Sequence, residues 1–368
     1  MTNSEWKLRV PGKLMIAGEY AILEPRQHAV VMAVDRYITV ELKESKENIL
    51  SLPQLGLREV TWINDGVTPI FNRGDSRLKV IQQALKTMNQ YFREQSIEIR
   101  NCRLTITSEL VDIDGRKYGL GSSAAITVAV VASLLAFHRI QLPCEQLFKL
   151  AALSHLLAQG NGSGADIAAA TYGGLINYTA FRPNWLLGKW KEGTKLNELL
   201  ETSWPQLSIR HITLPAEVEI GTGWTKVTAR TGPMVQKIQR FRLTEPHQYH
   251  SFLQESSRAV TQFVKGIETC NFDRAMVGIS QNRQALRRLG AFTNVLIETP
   301  KLTRLCEIGE KFGSAKPSGA GGGDCGIALI QKQQKSLLHE AWRKEGIIPL
   351  HVSCSQKGFV VMEMIRRS

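Results

Sequence analysis

Lys117-Tyr-Gly-Leu-Gly-Ser-Ser-Ala-Ala125 carries a glycine-serine turn straight into the apolar stretch Ile126 to Phe137. Such a turn aims unpaired backbone N–H groups, two hydroxyls and the positive end of a helix dipole at one point in space, which is what a polyphosphate requires. The spelling Gly119-Leu-Gly121-Ser-Ser-Ala124 also satisfies a dinucleotide fingerprint. That fingerprint needs a strand directly before it and an acid on a second strand about 20 residues later. Here the expected strand, Arg103 to Leu110, is cut off from Gly119 by the polar turn Asp112-Ile-Asp-Gly115, and the downstream position holds the turn Gln141-Leu-Pro-Cys144. A Walker loop, with its Gly-Lys-Ser/Thr ending, is absent as well. The turn reads as a phosphate cradle or, failing a ligand, as a glycine-rich helix start.

On either side of the cradle the chain carries alternating helix and strand patterns. Leu78, Ile81, Leu85, Met88 and Phe92 recur at helical spacing behind Asp75, a capping residue, so an amphipathic helix is expected over 75–92. Upstream, Trp6 to Val10 reads as a strand broken by Pro11-Gly12, and Lys13 starts the next apolar run beside that turn, where a lysine can reach into a site. Ala29 to Leu42 reads as a long strand, and 43–74 as short strands and loops. Downstream, a helix over 145–158 ends in Gly160-Asn-Gly-Ser-Gly-Ala-Asp166, an extended turn with accessible amides. Asp166 falls in the first turn of the following helix, either as a partner for its dipole or as a site acid.

Gly173 to Phe181 reads as a strand, and the Pro, Trp and Gly texture of 182–205 as an insertion and linker. The domain boundary is placed there, giving domains 1–183 and 184–368. Beyond it come a strand pair, 207–214 with 217–221, then helices over 248–269, 272–289 and 301–312. Lys316-Pro-Ser-Gly-Ala-Gly-Gly-Gly-Asp324 is a second glycine-rich loop leading into a strand, and a last helix and two strands follow. Without a strict βαβ rhythm, both domains are classed α+β.

Composition narrows the possible ligands. The chain has 368 residues, 43% hydrophobic and 21% charged, an ordinary folded composition long enough for two domains. Lys and Arg number 46 against 33 Asp and Glu, a formal charge of +13 that points to an anionic ligand or surface. No RNA-recognition aromatic motif, zinc finger or basic arm is present, which argues against nucleic acid. The N-terminus lacks an apolar signal region, and the longest apolar run, Ala124 to Phe137, is too short to span a bilayer. The six cysteines have neither close pairs nor metal-ligand spacing, so reduced thiols and a cytoplasmic setting are expected. The expected partners are small molecules, with no nucleic acid and no membrane, in a monomer or homodimer.

Three ordered segments, Pro11-Gly-Lys-Leu-Met-Ile-Ala-Gly-Glu-Tyr20, Gly119 to Ala124 and Lys316 to Asp324, together resemble the three motifs of the GHMP kinases. Gly160 to Asp166 and Gly223-Trp-Thr225 are most similar to the bacterial phosphomevalonate kinase branch. The resemblance implies a two-domain enzyme, an N-terminal ribosomal-protein-S5-like domain and a C-terminal ferredoxin-like domain with the active site between them. It implies transfer of a phosphoryl group from ATP, with Mg²⁺, to (R)-5-phosphomevalonate. The alternatives are mevalonate or another small-molecule acceptor, or a non-catalytic metabolite-binding relative.

By that analogy Gly119, Leu120, Gly121, Ser122, Ser123 and Ala124 wrap the ATP phosphates, with the Ser123 hydroxyl near Mg²⁺. Lys13 and Asp166 are the expected catalytic pair. Glu19, Tyr20, Ala21 and Ser163 would face the acceptor, and Ser318, Gly319, Ala320 and Gly321 would supply backbone contacts. From Trp224 to Thr244 the chain has no acid, and Lys226, Arg230 and Thr231, beside the Gly-Trp-Thr turn, are expected to contact the acceptor's phosphate. Where mevalonate kinases carry a Mg²⁺-binding helix glutamate, this chain has Ser154-His155-Leu156. An imidazole is a poorer Mg²⁺ ligand than a carboxylate, so His155 is expected to be packed or hydrogen-bonded, which argues against mevalonate as acceptor.

Overall fold

Two long strands set the frame of the first half. They are β1 (Ser4–Ala17) and β2 (His28–Glu44), antiparallel along most of their length. Pro11-Gly12 does not end the first strand, as the sequence suggested; the register shifts there and pairing resumes at Gly12 with Val34. A bulge accommodates a proline that can give no ladder hydrogen bond. Described residues are 4–229 and 231–365 of this computed structural model.

β3 (Asn48–Leu52), β4 (Leu57–Asp65) and β5 (Thr68–Phe71) extend the sheet, followed by α1 (Lys79–Glu94) and β6 (Cys102–Ser108). The Asp75 side chain accepts a hydrogen bond from Arg77 N in the turn that leads into α1. Next come α2 (Ser122–Phe137), α3 (Cys144–Gln159), α4 (Ala165–Tyr172) and β7 (Leu175–Thr179). Helix α2 is apolar on every side because it packs on β1 and β2 and is flanked by α1, α3 and α4.

The segment expected to be a linker folds as α5 (Pro183–Lys191) and α6 (Leu196–Glu201), whose Leu186, Leu196, Leu199 and Leu200 enter the main core. β8 (Ser208–Ile212) then pairs with β7, whereas β9 (Val218–Trp224) joins a different sheet. The expected pairing of these two strands is therefore incorrect. Alternation identified each strand but carried no information about its partner.

Helices α7 (Thr231–Thr244), α8 (Pro246–Glu268), α9 (Phe272–Thr293) and α10 (Pro300–Gly309) lead to β10 (Gly313–Pro317) and β11 (Cys325–Gln331). The chain continues with α11 (Lys335–Lys344), β12 (Ile348–Leu350) and β13 (Val360–Ile365). The second sheet runs β10-β11-β9-β12, while β13 returns to the first sheet and pairs with β1. The boundary drawn at 183/184 falls at the start of α5; by sheet membership the first unit takes in β8 and β13 as well.

β11 is buried on both faces, so it reads as a continuous apolar run, Ile327-Ala-Leu-Ile330. Ala328 and Ile330 pack with Leu305, Leu338 and Trp342 of α10 and α11, while Ile327 and Leu329 join the main core of the first unit. That shared core holds the two glycine-rich loops against each other. Among the described residues no helix is long and apolar enough to cross a membrane.

Candidate active site

The cradle rests on β1. Lys13 N donates to Leu120 O at 2.9 Å, and a Cβ on Gly12 would meet that same carbonyl at 2.8 Å, so a larger residue would push the loop off the strand. Gly119 (φ 83°) and Gly121 (φ 75°) take left-handed conformations that turn the chain into α2. The Lys13 stem lies along Gly121, where a Cβ would come within 2.8 Å of its Cγ. Lys13 Nζ sits 3.4 Å from Asp166 Oδ1, the lysine being largely buried and the carboxylate 37% exposed. The loop before Asp166 turns through Gly160, Gly162 and Gly164, all at positive φ, and is tied down by Tyr178 OH donating to Ser163 O at 2.6 Å.

These groups open on one cleft of about 360 Å³. Lys13, Asp166, Gly119, Leu120, Gly121, Ser122, Ser123, Glu19, Tyr20, Ser163, Thr231, Ser318, Gly319 and Ala320 all line it. Four other expected residues do not. Ala124 is buried in α2, Ala21 is buried in a satellite core with Ile238 and Phe241, and Gly321 packs against the Ile297 carbonyl. Lys226 is exposed outside the cleft wall, and Arg230 lies outside the described residues.

Several side chains in the cleft wall already have partners. The Glu19 carboxylate is paired with Lys316 Nζ and also accepts from Gly319 N at 3.3 Å. Tyr20 OH donates to Ala320 O at 2.5 Å, and Ser318 Oγ donates to Met15 O at 2.8 Å. Glu19, Tyr20 and Ser318 thus fasten the first motif to the third. The Glu19–Lys316 pair is almost wholly desolvated, with side-chain exposures of 2% and 0%. Only mutual attraction and added hydrogen bonds offset the cost of burying two charges.

Three cleft-side groups escaped the sequence reading. Asp324, at positive φ, presses its side chain on Gly119, where a Cβ would meet it at 2.6 Å. Its Oδ1 accepts from Ala229 N at 3.3 Å, and its backbone bonds to Thr225 and Val227. Burial pushes the Asp324 carboxyl above its ordinary value, opposed by the Ala229 amide and the charges of Lys13 and Lys117. Lys117 lines the cleft, exposed, just before the cradle. Gln159 meets Ser123 Oγ at 3.1 Å, as does His155 Nε2. The expectation that His155 is packed or hydrogen-bonded is met; burial pushes its pKa down, opposed by Asp166. A third consecutive glycine followed by Asp-Cys in the second loop was the one available signal for Asp324.

An ion pair beside a glycine-serine helix start is a layout suited to phosphate groups. The description "GHMP kinases N terminal domain" matches residues 79–174, and "GHMP kinases C terminal" matches 273–348. The chain belongs to the GHMP kinase family. It is 33% identical to a phosphomevalonate kinase of Streptomyces sp. (strain CL190) over 363 residues, 95% of this chain and 96% of that protein. A Lin0012 protein from Listeria innocua superposes with a TM-score of 0.91 at 34% identity, covering 98% of this chain and 99% of that one. Streptococcus pneumoniae phosphomevalonate kinase, solved with phosphomevalonate and AMPPNP, superposes with a TM-score of 0.82 at 29% identity, over 95% and 99% of the two chains. The two-domain mixed α/β fold is that of the family.

The donor set suits a Mg²⁺ ion. The Ser123 hydroxyl and Asp166 carboxylate are hard oxygens lining one cleft, and Mg²⁺ takes one or two such ligands beside substrate phosphates. The described residues hold no group of three His, Cys, Asp or Glu able to cage a metal.

Proposed function

We propose that this protein transfers the γ-phosphoryl group of ATP to the phosphate of (R)-5-phosphomevalonate. The observation that carries this reading is the Lys13–Asp166 pair at 3.4 Å inside the cleft. With Lys13 beside it, Asp166 is placed to orient the lysine rather than to take a proton from a hydroxyl, the step that a hydroxyl acceptor would need. A phosphate monoester, with a second pKa near about 6, is already largely ionised at neutral pH and needs no such step. The Streptomyces and Streptococcus relatives support the same acceptor.

In this reading the amides of Gly119 to Ser123 and the start of α2 bind the nucleotide phosphates. Lys13, held in place by Asp166 and the Gly121 backbone, neutralises charge on the group in transfer. Ser163, on its tethered loop, faces the acceptor. Mg²⁺, when bound through Ser123 and Asp166, supplies further charge neutralisation.

The test is ADP release with Mg-ATP and, in parallel, mevalonate, phosphomevalonate, homoserine and galactose. Turnover with phosphomevalonate alone is the expected result; turnover with mevalonate alone would replace the acceptor. Asp166→Asn should lose less than the factor of roughly 10²–10⁴ typical of removing a general base. Complete loss in a folded Asp166→Asn protein would return that carboxylate to the role of base.

A further inference from the structure

Ser123 Oγ lies 3.1 Å from His155 Nε2 and 3.1 Å from Gln159 Nε2, two contacts that the transfer scheme leaves unused. The partners stand four residues apart at the C-terminal end of α3, so the helix presents them on one side. A serine hydroxyl has one proton and two lone pairs. The Gln159 amide nitrogen can only donate, and occupies one lone pair. Of the two partners, only the imidazole offers the hydroxyl proton an acceptor. With the proton held by His155, the second lone pair of Oγ is left for the cleft. Were Nε2 to donate instead, both lone pairs would be used and the proton would face the cleft. Ser123 would then be a hydrogen-bond donor to a phosphate oxygen and not a cation ligand.

We propose that His155 is a positioning residue that holds the Ser123 proton in a hydrogen bond and so presents an oxygen lone pair to the Mg²⁺ accompanying the nucleotide. A carboxylate at this place on α3 would bind the ion itself; the imidazole acts through the serine. The inference rests on the nucleotide reading of the cradle and is independent of which acceptor is used.

The experiment measures Mn²⁺ binding, by electron paramagnetic resonance, to the full chain saturated with AMPPNP, and separately AMPPNP affinity in EDTA. His155→Ala should weaken Mn²⁺ by about ten-fold or more while leaving metal-free AMPPNP affinity unchanged. His155→Gln, whose amide oxygen accepts a hydroxyl proton, should restore most of the loss. In a Ser123→Ala background, His155→Ala should cost nothing further. His155→Leu takes the place of the alanine variant if that one does not fold. Unchanged Mn²⁺ affinity in a folded variant, or an equal loss without the serine, would overturn the proposal. Failure of the unsubstituted protein to bind AMPPNP would overturn the nucleotide reading as well, which separates the two.

Discussion

The two glycine-rich loops are similar in composition and opposite in use. In the cradle, Cβ atoms on Gly119 and Gly121 would meet the side chains of Asp324 and Lys13, and the hydroxyls and amides open on the cleft. In the loop from Lys316 to Asp324, Cβ atoms on Gly321 and Gly323 would strike the carbonyls of Ile297 and Val227 at 2.1 and 2.3 Å. Its polar groups bond to Met15, Glu19 and Tyr20. One loop uses glycine to admit charged side chains beside the cleft; the other uses it to bring backbones together. Glycine content marks a close approach without saying what approaches.

If the second loop is a clasp, breaking it should cost stability more than any change in the cradle does. Lys316→Met leaves the Glu19 carboxylate buried and unpaired, and should destabilise the protein by about 3–5 kcal/mol in urea unfolding. Adding Glu19→Gln removes the stranded charge and should recover much of that. Equal stability of the single variant and the parent would collapse the distinction between the loops.

The cradle should show the reverse pattern. Lys13→Ala is expected to lower kcat by about 10²–10³-fold. Its partner Asp166 is partly solvated, so the unfolding free energy should move by less than about 1 kcal/mol. A variant that loses stability and activity together would make Lys13 part of the clasp.

Acid should sharpen the contrast from the other side. His339, buried on α11 and stacked on Trp342, has its pKa pushed down to about 4 by burial, with His351, Lys335 and Arg343 adding to the shift. The native state therefore binds fewer protons than the unfolded chain between about pH 6.5 and 4. The contribution of His339 is full above that window and should be lost through it, by about 3 kcal/mol, and is spent below about pH 4. The loss should centre on the sheet of β9 to β12, read by hydrogen exchange, and His339→Gln should flatten it.

Local pattern made the cradle legible: Gly119, Gly121, Ser122 and Ser123 preceding an apolar run dictate a turn, a helix start and its burial. Lys13, Asp166 and Ser163 were reachable because glycines punctuate the chain beside each. Glu19 was placed in the cleft wall, but its partner Lys316 lies 297 residues away, and no periodicity records a pair at that separation. The separation of β8 from β9 was hidden for the same reason. α5 and α6 were missed because Gly, Pro and Trp masked the spacing of Leu186, Leu196, Leu199 and Leu200.

The return of β13 to β1 has a bearing on biosynthesis. Val360–Ile365 follows the second unit in chain order, yet these residues pair with Ser4–Arg9, which precedes it. One edge of the founding sheet therefore stays open until synthesis has passed through the whole second unit, exposing a row of unpaired strand groups to other nascent chains. Ribosome-bound chains arrested before β13 would present that edge, and a chaperone that shields extended backbone would find its substrate there.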